Sequence, residues 1–201
     1  MPTELILQSV TRYISLTEDE KLYFISLLHP KSIKRKQFIL QNGQICKNST
    51  FVTSGCLRGF TVDENGFEHV LNFAPTGWWI ADMYSLISQK PGILNIEAID
   101  DTESLTLSKT DQEKLYLKIP QFERFFRIIT ENSLVAYQQR LIDNLSLPAE
   151  DRFHNFCKRY PSLINALPKK QIAAYIGVTP EFFSRMQRNL LKMDRNAPIK
   201  R

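Results

Sequence analysis

Glu181, Ser184, Arg185 and Arg188 recur at spacings that place them on one face of a helix. Those side chains suit the edges of base pairs. A guanidinium offers a planar fork of donors that matches the O6 and N7 acceptors of guanine, and a carboxylate accepts from cytosine N4. Arg185 is therefore assigned to guanine and Glu181 to cytosine. Ser184 and Arg188 reach an adjacent base or a phosphate. Lys169, Lys170 and Gln171 stand a turn and a helix upstream, where they would meet the phosphate backbone and set position without reading sequence.

These residues need two short helices to carry them. Ile172, Ile176, Val178, Phe183 and Met186 fall where two crossed helices bury side chains against each other, and Ala173 is small at the expected closest approach. Gly177 sits between them, where a positive φ is wanted. Thr179 and Pro180 restart a helix, with a hydroxyl N-cap followed by proline at the first helical position. The pattern predicts a helix-turn-helix whose open face is polar and basic, able to enter a major groove.

Charge follows the same segment. The net charge of the chain is +5, divided as +7 over residues 148–201 and −2 over 1–147. Arg195, Lys200 and Arg201 form a basic tail, yet Arg152, Lys158, Arg159, Lys169 and Lys170 lie upstream of it. A basic module joined to a slightly acidic one is the electrostatic footprint of polyanion binding.

The rest of the chain reads as a scaffold. Thr17 and Glu20 form a capping box ahead of Leu22, Phe24, Ile25 and Leu28, a helix that Pro30 closes. From about residue 34 to 117, short β-branched and aromatic runs alternate with turn signals, among them Asn42-Gly43, Ser54-Gly55 and Asp63-Glu64-Asn65-Gly66. Strands are expected near 38–40, 50–53, 57–62, 69–73, 93–99 and 103–107, closing as a compact antiparallel β-roll or jelly roll. A long helix then runs from about 111 or 120 to near 144. Its apolar surface (Phe122, Phe125, Phe126, Ile129, Val135, Ala136, Leu141, Leu145) is wider than one core-facing stripe, which predicts a dimer helix over 120–145. The fold class is α+β, divided as 1–119 (β-roll with N-terminal helix), 120–147 (dimer helix and linker) and 148–201 (helix-turn-helix).

Three widely spaced cysteines, Cys46, Cys56 and Cys157, suggest neither a disulfide framework nor a metal site. With no apolar run of membrane length and no leader-like start, a cytoplasmic protein is expected. No catalytic or metal-ligating constellation is legible, and no enzyme is predicted.

This order of β-roll, long helix and basic helix-turn-helix resembles the cyclic-AMP receptor family of bacterial regulators, also called the catabolite-activator and fumarate–nitrate-regulator (CRP/FNR) family. Asn42-Gly43-Gln44, Thr53-Ser54-Gly55, Gly77 and the helix-turn-helix carry the resemblance. It implies a homodimer on a palindromic DNA site that recruits or blocks RNA polymerase, in many members under control of a ligand in the roll. It also implies a cassette from a Gly-Glu pair to an Arg-Ser/Thr-Ala triplet in those members that bind cyclic AMP. Here the cassette opens Gly77-Trp78-Trp79 and closes Ile96-Glu97-Ala98. With isoleucine at the arginine position and a carboxylate expected to repel phosphate, a cyclic nucleotide is disfavoured as cofactor.

An unidentified effector, neutral or cationic, would fall to Trp78, Trp79, Asp82, Tyr84, Asn95 and Glu97, unless the two tryptophans fill the space. An iron–sulphur role is not expected, since the first cysteine is Cys46, and the histidines do not support haem. Pro180 stands where the family commonly has the first recognition arginine, and the short C-terminal segment implies a trimmed winged helix. The alternative is a ligand-sensing roll that acts through protein partners with a degenerate DNA-binding part.

Overall fold

The computed structural model describes residues 2–196. The basic tail residues Lys200 and Arg201 lie outside the described residues. Two helices open the chain, α1 (Pro2–Thr11) and α2 (Glu18–Ser26). Thr17 caps α2 as expected: its backbone N–H donates to the Glu20 carboxylate at 2.8 Å, and its hydroxyl accepts from the Glu20 N–H at 3.3 Å. The sequence reading contained no helix α1. Ile6 and Val10 are fully buried on it, in a cluster with Phe24, Phe51, Phe122 and Phe125. The tertiary contact, rather than any capping signal, sustains so short a helix.

Strands β1 (His29–Ile33), β8 (Thr102–Ser108), β3 (Asn48–Ser54) and β6 (Trp79–Ile80) form one antiparallel sheet, in that order. Strands β2 (Phe38–Leu40), β7 (Asn95–Ala98), β4 (Cys56–Val62) and β5 (Glu68–Pro75) form the other. Pro30, expected to follow a helix directly, lies within β1 opposite Leu105. That strand is at a sheet edge, where a residue without an N–H is tolerated. The β4–β5 hairpin turns at the expected site. Asp63 accepts from the N–H groups of Asn65 and Phe67, both at 2.9 Å, and Gly66 takes a φ of 79°. Gly55 joins β3 to β4 at a φ of 87°; a Cβ there would stand 2.6 Å from the Asp101 carbonyl oxygen.

The two sheets enclose Val52, Leu57, Ala74, Ile80, Ile96 and Ala98. A short helix, α3 (Met83–Ser88), capped by Asp82, lies between β6 and β7. Helix α4 (Lys109–Lys118) leads to α5 (Gln121–Ser146), so the long helix begins after Pro120. Phe122, Phe125 and Phe126 anchor its first turns against α1 and the roll. Beyond them Leu134, Val135, Leu141, Ile142 and Leu145 are exposed.

Helices α6 (Ala149–Arg159), α7 (Lys169–Ile176) and α8 (Pro180–Asn196) complete the chain, with a 3-10 turn at Pro161–Leu163. They do not stand apart from the roll. One hydrophobic cluster contains Cys56, Phe60, Val70 and Phe73 together with Phe156, Tyr160, Leu163, Ile172, Tyr175, Phe183 and Met186. This explains why β4 is buried from Cys56 through Phe60 without alternation. Leu57 faces the roll interior, while Cys56 and Phe60 face the terminal helices.

Candidate nucleic-acid interface

Helices α7 and α8 meet as the spacing implies. Ile172, Ala173, Ile176, Phe183 and Met186 are buried between them and α6. Gly177 ends α7 at a φ of 72°, and its N–H closes onto the Ala173 carbonyl. The Thr179 hydroxyl accepts from the Phe182 N–H at 3.2 Å, capping α8. Val178 is only half-buried.

Glu181, Ser184, Arg185 and Arg188 line one shallow concavity with Pro180 on the outer side of α8. Glu181, Arg185 and Arg188 are exposed. Arg188 Nε donates to the Ser184 carbonyl at 3.3 Å, which lays its side chain along the helix. Phe182 is 41% exposed beside them, while Phe183 is fully buried. Lys169 and Lys170 are exposed at the start of α7.

Gln171 is placed differently from its neighbours. Its side-chain oxygen accepts from Arg58 Nη1 at 2.7 Å. Arg58 projects from the outer face of β4, with its side chain 6% exposed, and pairs with Glu68 at 2.6 Å and Glu97 at 2.5 Å. Its guanidinium also covers the Phe60 ring, 3.9 Å from the centroid. Hydrogen bonds from this guanidinium hold the Glu68 carboxyl below the usual carboxylate range, although its burial acts the other way. The sequence reading missed Arg58 altogether. A lone arginine in a strand that otherwise reads as buried was the available signal, since such a residue needs partners.

This network relocates Glu97. In the register Arg58 stands opposite Glu97, and Ile96 opposite Gly59. Ile96 therefore points into the roll and Glu97 away from it, toward α7. The carboxylate does not enter the roll interior, and its expected repulsion of a phosphate there does not arise. The reason is the two-residue period of a strand.

The other five effector candidates do not converge either. Trp78 packs at a tilt against Tyr160, at the end of α6, with centroids 5.5 Å apart. Trp79 points the opposite way, against Phe51 and Phe126. Asp82 is buried as the cap of α3, accepting from the Ser85 N–H at 3.0 Å. Tyr84 is 63% exposed, and Asn95 accepts from the Asn42 N–H at 3.0 Å. The roll does have a cavity of about 430 Å³, but Gln44, Cys46, Thr50, Ile96 and Thr106 line it, with Lys31 and Lys47 among its walls. None of the six candidates does. The tryptophans do not line this space, because the Trp78 ring packs against Tyr160 and the Trp79 ring against Phe51 and Phe126.

Residues 30–118 match the family model of the cyclic nucleotide-binding domain. Solved structures extend the likeness across the chain. FixK2 from Bradyrhizobium japonicum superposes with a TM-score of 0.73 at 20% identity, over 83% of this chain and 86% of that one. The c-di-GMP responsive global regulator CLP of Xanthomonas campestris gives 0.72 at 13% identity, over 89% and 93%. A protein from Eubacterium rectale assigned to the crp/fnr family of transcriptional regulators gives 0.68 at 17% identity, over 89% and 85%. The chain has the CRP/FNR fold. A comparison with curated protein sequences finds no match. Within this fold the terminal helices and the β-roll are joined by the Arg58 network and the aromatic cluster around Phe73. Among the described residues, no helix is long and apolar enough to cross a membrane.

Proposed function

We propose that this protein is a DNA-binding transcription regulator that works as a homodimer, not an enzyme. The observation that carries this reading is the concavity on α8, where Glu181, Ser184, Arg185 and Arg188 stand together on a helix already capped and packed. Arg185 reads guanine, Glu181 reads cytosine, and Ser184 and Arg188 take an adjacent base or phosphate. Lys169 and Lys170 hold the backbone. Gln171 joins them only when it releases Arg58.

The partner chain pairs along the exposed side of α5. Leu134, Leu141 and Leu145, 60–78% exposed, recur at seven- and four-residue intervals, the spacing of a helix-pairing seam. Two recognition helices about 34 Å apart then read a palindrome. RNA polymerase is the proposed downstream partner, and the cytoplasm the proposed location. Cyclic nucleotide is not the proposed effector. The position of the phosphate-binding arginine is held by Ile96, which is buried in the roll, and Arg58, on the other face of the sheet, is already paired with two carboxylates.

Selection of bound duplexes from a random pool by the purified protein, without added ligand at near-physiological salt, tests the reading. Enrichment of a two-fold symmetric motif is expected. A folded, dimeric protein that enriches nothing, with or without metabolite extract, would overturn it and favour a roll acting through protein partners.

A further inference from the structure

A second cavity, of about 420 Å³, opens where α5, α6 and α7 meet. It shares no residue with the concavity on α8. Arg140 from α5 and Arg152, Lys158 and Arg159 from α6 are on its walls, against a single acidic residue, Asp143. Asp143 does not neutralise them. Its carboxylate oxygens accept from the amides of Gln139 at 3.0 Å and Asn155 at 2.9 Å. Among the described residues, no ion pair links any of the four cations to a carboxylate.

Two of these cations have buried atoms without a partner. Arg140 donates to the carbonyls of Leu71, Val70 and Tyr175 and lies over the Tyr175 ring, but its Nε has no acceptor. Arg152 Nε is likewise buried without an acceptor. Of the four buried side-chain atoms in that condition among the described residues, two belong to this one cavity. A desolvated guanidinium with no counter-charge is costly unless an anion completes it. Burial accordingly pushes the Arg140 guanidinium below its usual value, as an unmatched charge would be.

The geometry points to an anion site in this cavity, built for a small, multiply charged phosphate compound that Arg152, Arg140 and Lys158 hold between α5 and the terminal helices. Guanidinium forks and an ammonium are the donors that phosphate oxygens take. Three net positive charges suit a di- or triphosphate-sized anion better than a monocarboxylate. The cavity is on the side of α5 opposite its exposed leucines: Ala136, Arg140 and Asp143 lie across the helix from Leu134, Leu141 and Leu145. A chain paired along those leucines therefore leaves the cavity open.

Inorganic pyrophosphate is the probe. Titrated into the full-length protein at constant ionic strength, with sodium chloride as reference, it should raise the melting temperature saturably and give a one-site calorimetric isotherm. Arg152→Gln should weaken that binding at least tenfold while the unliganded protein melts no lower than the parent, because the charge removed has no partner. Lys158→Gln, on the exposed rim, should weaken it several-fold and serves if Arg152→Gln does not fold. Lys47→Gln, at the cavity in the roll, should change nothing. Unaltered affinity in both Arg152→Gln and Lys158→Gln, loss of affinity in Lys47→Gln, or no saturable shift beyond the salt reference would overturn the assignment.

Discussion

Arg58 links the two halves of the molecule directly. It meets Glu68, Glu97 and Gln171 at once, from β5, β7 and α7. Arg58→Ala should lower unfolding free energy by roughly 1–3 kcal/mol, since two half-buried carboxylates and an amide lose their donor together. Denaturant melts measure this. Glu68 supplies a pH signature. Its folded pKa lies below its unfolded value, so its stabilisation is complete above the ordinary glutamate range, about 4.3, and lost as pH falls through the lower folded value. Between about pH 5 and pH 3 the parent should lose more stability than Glu68→Gln. On α8, Arg185→Ala should weaken binding to the selected duplex by about 1–3 kcal/mol and relax preference at one base pair, read by fluorescence anisotropy on single-site variants. An unchanged affinity there would remove Arg185 from the groove.

At the scale of elements, the turns and the helix pairing carry the tests. Gly55 and Gly177 both hold positive φ, at 87° and 72°, but their surroundings differ. A Cβ at Gly55 meets backbone at 2.6 Å, whereas at Gly177 its nearest neighbour is the Arg152 side chain at 3.6 Å. Gly177→Ala should therefore cost about 1–2 kcal/mol of strain alone. Gly55→Ala should cost more, and comparison of their melting temperatures separates clash from strain. If the chain pairs along α5 as proposed, Leu141→Glu should give a folded monomer by sedimentation where the parent gives a dimer, as the Leu141 side chain is 60% exposed on the chain alone. Elements with local signals were the legible ones. The capping box at Thr17, the Asp63–Gly66 turn and the Gly177–Thr179 turn are written in adjacent residues. Strand β1 and helix α1 were not, because their stability comes from Leu105, Phe51 and Phe122, far away in the chain. The same limit hid Arg58, whose partners lie 10, 39 and 113 positions on.

Across the whole molecule, the cluster around Phe73 makes the roll and the terminal helices share a core. The Phe73 ring lies 5.6 Å from Tyr160, 5.7 Å from Tyr175 and 6.2 Å from Phe156. Each such aromatic pair contributes about 0.5–1.5 kcal/mol beyond its burial. Calorimetry should show one unfolding transition, and Phe73→Ala should split it or lower it by about 3–5 kcal/mol. Two well-separated transitions in the parent would contradict a shared core. The candidate effector residues of the roll illustrate what linear order conceals at this scale. Trp78 and Trp79 are adjacent in sequence, yet one packs against the roll interior and the core shared with the terminal helices, and the other against the cluster under α5.

The bond between Arg58 and Gln171 has one further consequence. If a duplex draws Gln171 to its backbone, the guanidinium loses an acceptor and redistributes between Glu68 and Glu97. Any change in the roll that alters how those carboxylates hold Arg58 then alters affinity for the duplex by some factor, and the duplex must alter that change by the same factor. Under the proposed DNA binding, the traffic between β7 and DNA would run equally in both directions, so a probe at Glu97 should report occupancy on α8 as faithfully as a probe on α8 reports the state of Glu97.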